Sequence, residues 1–403
     1  MAIARPDPPP NRVGPFNWIW KKWFSRLYTW LTEQIDTLNK AIPTSPGLSA
    51  NIGYNYIING GMDVWQRNST FTSPSNSWTA DRWHYQESSA GALTVSQNTA
   101  VPTGLERYSL RLSVTSPDLS ITATDYAQLE YRMEMYDILQ MGFGTSNPQT
   151  LTLSFWVKSS LIGTYCLCFQ NNANNRSYVV EYTISSTNWE QKAITITADT
   201  TGTWTTATPW TTGLRIFWIL MAGSDIQTAT TDSWIAPVDL RATANQVNWY
   251  GSISNTFNLK NVKLEIGDTA TEFVPRLFEE ELALCQRYYE HSYTNGQYPG
   301  ATVATQISYH VVKASGAGPA VSATLYGWNP PFNVRKVVSP TMTFYSPNSG
   351  TAARVYDNTG ATDLTVLNTT GIGQVHVPTI ILNAAPTVDH VLSMHWQADA
   401  ELS

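Results

Sequence analysis

The sequence predicts a mainly β protein with an N-terminal anchor and amphipathic helix, a jelly-roll β-sandwich, a short helix and a C-terminal β-rich domain. Most of the 403 residues fall in short runs where apolar and polar residues alternate, separated by Gly, Asn, Pro and Ser. Aromatic residues make up 12% of the chain and charged residues only 13%, a composition that suits half-buried strands. A long helical pattern occurs once, near the N-terminus.

The long helical pattern follows a proline-rich start and covers residues 16–42. Its apolar residues recur at spacings of three and four in two overlapping stripes. The first stripe is Phe16, Trp20, Trp23, Leu27 and Trp30, and the second is Phe24, Leu27, Leu31, Ile35, Leu38 and Ile42. Two apolar faces favour self-association together with docking into another protein. Packing of the helix on its own domain, and binding to a membrane surface through Lys21, Lys22 and Arg26, are the alternatives.

A linker and a second helical pattern divide the chain into three segments: residues 1–48, 49–276 and 277–403. The middle segment contains runs that alternate as half-buried strands do, at residues 108–114, 151–157, 178–184 and 194–196. The run 213–223 is apolar on both faces and should be a central strand. A change of phase between Leu259 and Val262 indicates a β-bulge. Many short strands with long Thr/Asn/Gly connections fit a two-sheet jelly roll.

The last segment begins with helical spacing from Leu277 to Tyr289, which predicts a short helix. Strand-like runs then return and predict a smaller β-rich domain, at residues 307–312, 334–338, 341–345 and 391–396.

Composition argues against several classes of protein. The net charge of -6 gives no electrostatic reason to bind nucleic acid or acidic membranes. The longest strongly apolar run, residues 216–223, is too short to span a bilayer, and no signal peptide is visible. Cys166 and Cys168 share one face of a strand, so these thiols and Cys285 should be free and buried. Folding in a cytoplasm is the expectation.

Several runs resemble those of tail-fibre and related virion appendage proteins of tailed bacteriophages. They are INGGMDVWQR, TADRWHY, LTLSFWVKSS, NVKLEIGDTATEFVPRLFEEELALCQRYYE and FNVRKVVSPTMTFYSP, in order over residues 54–350. The resemblance implies a carbohydrate-binding-module-like jelly roll followed by a C-terminal β domain. It also implies a homotrimer that is anchored by its N-terminus to a tail adaptor, nozzle or portal-vertex protein and binds host surface polysaccharide. The anchor and oligomer interface would comprise Phe16, Trp20, Trp23, Phe24, Leu27, Trp30 and Leu31.

The same resemblance implies one structural calcium, with oxygen ligands near Asn59, Gly61 and Asp63 and a carboxylate near Asn261. The late motif here reads Lys260-Asn261-Val262 and lacks the acidic pair of calcium-binding relatives. The Lys260 ammonium would also repel a cation. We therefore expect no cofactor, with Asp63 as the calcium ligand if an ion binds.

Loop aromatics are the candidates for glycan contact, since sugar binding needs exposed rings. They are Trp204, Trp210, Trp234 and Trp249, although packing at a subunit interface is the alternative for each. Catalysis is not expected, because the histidines show no metal-ligand spacing and no nucleophile elbow, phosphate loop or long β-helix repeat is visible.

The run from Asn55 to Tyr85 first suggests an active site, because Asp63, Arg67, Asp81 and Arg82 lie among tryptophans. We interpret it instead as the entry to the sandwich, with a first strand at residues 57–58 and ion pairs that tie down the Ser/Pro loop. The protein would be a non-enzymatic fibre of the virion tail, made in the host cytoplasm. A depolymerising tailspike and a head-vertex fibre or decoration protein are the alternatives.

Overall fold

The computed structural model describes residues 18–41, 53–105, 107–204, 208–236, 239–303, 307–310, 323–324, 330–383 and 391–402. The chain forms two compact units, which meet in sequence between Tyr54 and Asn55. The predicted domain boundaries after residues 48 and 276 stay predictions.

The first unit contains helix α1, Trp18–Ala41, where the apolar stripes predict a helix. Large apolar side chains on α1 are accessible: Phe24 is 45% exposed, Tyr28 73% and Leu31 44%. Trp23, Leu27 and Trp30 are half-buried. Phe16 and the side chain of Trp20, both predicted anchor residues, lie outside the described residues.

The second unit begins with the predicted sandwich, whose strands are numbered in chain order. One sheet has the order β1 (Thr70–Thr72), β4 (Ala92–Asn98), β5 (Ser109–Ser116), β13 (Thr256–Ile266), β7 (Thr150–Ser159) and β10 (Glu190–Thr197). The other has the order β12 (Trp234–Ile235), β9 (Ser177–Ile184), β8 (Gly163–Asn171), β11 (Thr212–Ala222), β6 (Tyr126–Glu134), β3 (Trp83–Ser88) and β2 (Ser77–Trp78). Neighbouring strands are antiparallel. The short helix α2, Met135–Leu139, follows β6.

The apolar faces of the two sheets meet in one large core, which includes Leu153, Trp83 and Trp218. The apolar run 213–223 lies almost wholly in β11, between β8 and β6, so the predicted central strand is confirmed. The predicted bulge is also confirmed, since the pairing of β13 with β7 shifts between Lys260 and Lys263. All three cysteines are free and buried, as expected.

The predicted strand at residues 57–58 is wrong. The N–H of Ile57 donates to the Asn55 side-chain oxygen at 2.9 Å, and the N–H of Ile58 donates to the Tyr131 hydroxyl at 2.8 Å. Because side chains take these donors, the segment does not continue a ladder. The first described strand is β1.

The chain then continues through helix α3, Phe278–Gln286, which confirms the predicted short helix. The strands that follow are β14 (Tyr289–His291), β15 (Ile307–His310), β16 (Ala323–Thr324), β17 (Thr341–Tyr345), β18 (Arg354–Asp357), β19 (Thr362–Thr370), β20 (Thr379–Leu382) and β21 (Val391–Asp399). Strand β21 pairs with β14, β15, β17 and β18 and organises this C-terminal region. Residues of this region, including Phe344, Val355 and Leu392, form a separate apolar core.

The predicted strand at residues 334–338 is also wrong. The N–H of Lys336 donates to the Gln374 carbonyl at 2.8 Å, whereas that of Val337 donates to the Arg287 carbonyl at 3.0 Å. Adjacent donors therefore bond to two different segments, and the stretch is a loop rather than part of a sheet.

Candidate functional site

Asn59 organises the run that first suggested an active site. It is fully buried with a positive φ of 56°. Its side-chain N–H groups donate to the carbonyls of Val64 and Asp81 at 2.8 and 2.9 Å, and its side-chain oxygen accepts from the N–H groups of Asp63 and Val64 at 3.0 Å. Its backbone N–H donates to Glu281 of α3 at 2.5 Å. The turn is thus held internally and fixed to the C-terminal region.

Position 60 requires glycine, because the backbone of β13 at Val262 lies very close to it. The Val262 N–H donates to the Gly60 carbonyl at 2.9 Å. A Cβ at Gly60 would lie 2.1 Å from the Val262 carbonyl oxygen, well inside van der Waals contact. A side chain here would push the turn away from β13.

Arg82 lies at the centre of the contact between the sandwich and the C-terminal region, which we call the junction. Its guanidinium, 1% exposed, forms an ion pair with Glu401 and donates to the Arg132 carbonyl at 2.5 Å. It also lies 3.5 Å from the ring centroid of Tyr288. A buried guanidinium needs such partners, because an unpaired charge inside a protein is strongly destabilising.

Arg67 repeats this arrangement beside it. The guanidinium lies 3.3 Å from both Asp399 and Glu401 and 3.7 Å from the ring centroid of Tyr289. The prediction that these arginines tie down the Ser/Pro loop is therefore wrong. Their partners lie at the other end of the chain, where no local spacing in the sequence could indicate them.

Asp81 is the third charged residue of the junction. Its carboxylate accepts from the backbone N–H of Gln66 at 2.7 Å and from the Gln66 amide at 2.6 Å. Burial raises the pKa of Asp81, and the charge of Arg67 opposes that rise. Both carboxylate oxygens are committed to structural bonds, so Asp81 is not placed to act on a substrate.

Two further carboxylates, on β6, are committed in the same way. Glu130 accepts from His84 and Arg132 at 2.9 Å and also pairs with Arg215. Burial alone would raise the pKa of Glu130, but the His84 hydrogen bond and the two arginines hold it well below its usual range. Glu134 pairs with Arg287 at 2.9 Å and accepts from the Tyr288 hydroxyl. The sequence did not indicate these partners.

Asp137, on α2, is a carboxyl group whose pKa is raised. Burial, together with the nearby charge of Glu134, raises the pKa of Asp137 to about 6. Such a carboxyl is partly protonated near neutral pH, which is a property that a general acid needs. Its neighbour Glu134 is held by Arg287 and Tyr288, so a second uncommitted carboxylate does not accompany it there.

Asp63, the calcium candidate, lies beside a cation supplied by the chain itself. The Lys260 ammonium donates to the carbonyls of Gly61 and Tyr108 at 3.3 and 2.7 Å, and Arg107 lies 3.5 Å from the Asp63 carboxylate. Burial raises the pKa of Asp63, and the charges of Lys260 and Arg107 act against that rise. These residues do not fit a calcium ion, because the ammonium takes the Gly61 oxygen and repels a second cation. In the described part of the chain, no three His, Cys, Asp or Glu side chains converge as metal ligands.

The loop tryptophans divide into buried and accessible rings. Trp249 is fully buried and Trp204 is 8% exposed, with its indole N–H donating to Asp199 at 3.2 Å. The exposure predicted for these two is wrong, because both pack into the sandwich core. Trp234 is half-buried and donates to the Thr197 carbonyl at 2.8 Å. Trp210, by contrast, is 45% exposed.

Trp210 stacks on Tyr136 of α2, and we call the two rings the aromatic pair. Their centroids are 5.7 Å apart with an interplanar angle of 22°, and Tyr136 is 51% exposed. The Arg287 guanidinium lies 5.3 Å from the Trp210 centroid, and Leu139 on the same helix is 39% exposed. The sequence did not indicate Tyr136, because a helix of five residues has too few positions to show periodicity.

Surface cavities among the described residues include two that are large enough for a small ligand. One, of about 630 Å³, lies beside β9 and contains the Glu181 carboxylate among Ser224, Gln227, Thr228, Ala229, Thr231, Thr243, Ala244 and Asn245. We call it the Glu181 cavity. The other, of about 470 Å³, combines Gln66 of the sandwich with α3, β14, the loop 330–333 and Trp396. We call it the junction cavity. Neither cavity was predicted, since each collects residues from distant parts of the chain.

Among the described helices, none is long and apolar enough to cross a membrane. On α1, the stripe residues Phe24 and Leu31 are exposed. Self-association and docking through this helix stay predictions.

Comparisons with known proteins yield structural likeness alone. No family model matches the chain, and no curated protein matches it. A bacteriophage CBA120 tailspike protein 4 domain is similar with 13% identity and a TM-score of 0.28, over 53% of this chain and 21% of that one. The arabinose-bound α-L-arabinofuranosidase MgGH51 is similar with 15% identity and a TM-score of 0.29, over 54% of this chain and 28% of that one.

A family 11 carbohydrate-binding module of a Clostridium thermocellum cellulase is similar with 12% identity and a TM-score of 0.26, over 51% of this chain and 99% of that one. The chain thus spans less than a third of the tailspike and arabinofuranosidase chains that it matches. At such TM-scores these likenesses carry no argument about activity, ligands or partners.

Proposed function

We propose that this chain is a non-catalytic attachment protein of a tailed-bacteriophage virion, of the tail-fibre type. Its N-terminal segment would hold the particle, and its β unit would contact host surface polysaccharide. The run-by-run resemblance in the sequence supports the phage assignment. The observation that supports glycan contact is the aromatic pair, because its two stacked rings, each about half exposed, present a flat apolar surface on which a sugar ring can pack.

Sugar rings fit such a surface for a physical reason. Each ring has a face of C–H groups that packs on an aromatic ring, and hydroxyl groups around its rim that need polar partners. Here Asp137 and Arg287 lie beside Tyr136 and Trp210 and offer an acceptor and a donor. The individual contact is weak, and several copies on one particle would multiply it.

Polysaccharide retention by the purified full chain tests this site. Tyr136→Ala and Trp210→Ala should each weaken retention on immobilised host polysaccharide by about tenfold, since each removes stacking area. Ile253→Ala removes an apolar side chain of similar exposure elsewhere on the sandwich and serves as the matched control. Unchanged retention by both aromatic variants, with their fold intact, would refute the assignment of the aromatic pair.

The homotrimer is the second part of the proposal and rests on α1. Phe24, Leu27 and Leu31 recur at the three- and four-residue spacing of a coiled-coil seam, and Phe24 and Leu31 are each about half exposed. Light scattering should give three times the mass of one chain for the full protein. The double variant Phe24→Asp, Leu31→Asp should give a single-chain mass, because charges at a seam are desolvated on association. A monomeric native chain would remove this part of the proposal.

The absence of catalysis is the third part, and Asp137 is the residue that could overturn it. Incubated polysaccharide should keep its size distribution with the native chain and with Asp137→Asn alike. Shortening by the native chain that Asp137→Asn abolishes would instead make the protein a depolymerase.

A further inference from the structure

The junction cavity contains polar groups that the fold itself does not use. The side chains of half-buried Gln286 and of exposed Asn295 and Asn333 line it and make no hydrogen bond within the described part of the chain, so their amides are free to bond a ligand from solvent. Trp396 is a fourth wall residue, 5% exposed, and its indole N–H is buried without an acceptor among the described residues.

The charged groups of the cavity cancel one another. Glu290 is 1% exposed, pairs with the Lys336 ammonium, and accepts from the Asn333 backbone N–H at 2.9 Å. His291 accepts from the Tyr293 backbone N–H at 3.1 Å, and burial lowers the pKa of His291 to about 4, so its ring is neutral at pH 7. The wall therefore offers amides and hydroxyls without a net charge.

The remaining wall is apolar and ring-shaped side chains form part of it. Leu282, Pro330 and Pro331 line the cavity together with Trp396. A cavity of about 470 Å³ lies within the range that holds small ligands. Amide donors and acceptors mixed with apolar rings match a ligand that carries both hydroxyls and C–H faces.

We propose that the junction cavity is a binding site for an uncharged sugar, separate from the aromatic pair. The amides of Gln286, Asn295 and Asn333 would bond the sugar hydroxyls, and Leu282 and Trp396 would pack on its apolar face. Phosphorylated and carboxylated sugars would be disfavoured, because the Glu290 and Lys336 charges are already paired and none of the described residues that line the cavity is an uncompensated cation.

Calorimetric titration of the full chain tests this with named probes. Glucose, galactose, mannose and N-acetylglucosamine form the neutral set, and glucose 6-phosphate and N-acetylneuraminic acid form the charged set. At least one neutral sugar should bind, and the charged sugars should bind at least tenfold more weakly. Binding by no neutral sugar, or a preference for a charged one, would overturn the proposal.

Variants assign the binding to this cavity. Gln286→Ala and Asn333→Ala should each lower the affinity about tenfold, the size expected for one lost hydrogen bond. Asn245→Ala removes an amide from the Glu181 cavity and should leave neutral-sugar binding unchanged, as should Trp210→Ala. Binding that persists in the double variant Gln286→Ala, Asn333→Ala would place the sugar elsewhere. Loss of binding in Trp210→Ala would merge this site with the aromatic pair and refute their separation.

Discussion

Arg82 and Trp83 are adjacent in sequence but lie in two different kinds of protein interior. Trp83 packs against Trp218 in the apolar core of the sandwich, with ring centroids 5.3 Å apart. Arg82 lies in the junction, where its charge is balanced by Glu401. The core gains stability from any well-fitting apolar side chain, whereas the junction needs specific partners at fixed positions. The core therefore makes the sandwich stable, and the junction fixes the C-terminal region to it in one register.

The largest effect on stability is expected when one partner of the Arg82–Glu401 ion pair in the junction is removed. Arg82→Ala should lower the free energy of unfolding by about 3–5 kcal/mol, because it leaves the buried Glu401 carboxylate with only the longer Arg67 pair and removes the donor to the Arg132 carbonyl. The double variant Arg82→Met, Glu401→Leu should recover part of that loss, since it removes both charges of this pair, keeps their volume and leaves Arg67 paired with Asp399. Urea unfolding measures both. A double variant as unstable as the single one would show that the junction depends on packing, like the core.

The matched change in the core is Leu153→Ala, at a fully buried position. It should lower the free energy of unfolding by about 3 kcal/mol through lost burial and the cavity left behind. This loss should be insensitive to salt and to pH between 5 and 8, as no charge is involved. A salt-dependent loss in the same urea experiment would contradict the contrast between the two interiors.

The free energy of unfolding should also depend on pH, because His291 in the junction cavity has a lower pKa in the folded chain than in the unfolded chain. Its pKa in the folded chain is about 4, below the ordinary value of 6.5, so the stabilising contribution is complete above pH 6.5. It is lost as the pH falls from 6.5 towards 4, because the unfolded chain binds the proton first. The loss between pH 7 and pH 5 should be on the order of 2 kcal/mol.

The variant His291→Asn should remove this part of the pH dependence, because an amide does not titrate and its oxygen can still accept from Tyr293. His376→Asn, at an exposed histidine, is the control substitution, and its stability should follow the same pH profile as that of the native chain. Equal pH profiles for native and His291→Asn would exclude this role of His291.

The smallest effect is expected at Lys260, whose buried charge lies within the sandwich and not in the junction. Lys260→Met should cost about 1–2 kcal/mol, since the carbonyls of Gly61 and Tyr108 lose their donor. Burial lowers the pKa of Lys260, and the charge of Asp63 opposes that change. Calcium should leave the melting temperature of the native chain unchanged. A rise on adding calcium would mean that an ion displaces the ammonium.

Local patterns predicted the elements that depend on neighbours in sequence. Alternation placed β5, β7 and β9, two apolar faces indicated the central strand β11, and a change of phase located the bulge near Asn261. The same reasoning failed at residues 57–58 and 334–338, where hydrogen bonds to side chains and to separate segments replace a ladder.

The residues of the candidate sites were predicted less completely than the strands, because each site brings together residues from separate segments of the chain. Trp210 was predicted among four loop tryptophans, but only the fold separates it from Trp204 and Trp249, which lie in the core. Its partner Tyr136 comes from helix α2, and the amides of the junction cavity come from α3, the turn after β14 and the loop 330–333.

The sequence by itself determined the mainly β class, the amphipathic helix α1, the alternation of the strands and the free cysteines, because each depends on residues a few positions apart. The tertiary structure alone decided that Arg67 and Arg82 pair with Asp399 and Glu401, that Lys260 takes the oxygen of Gly61, and which rings stay exposed. Those outcomes join residues from distant parts of the chain. Their energy depends on burial and on partner geometry, which no local pattern of residues encodes.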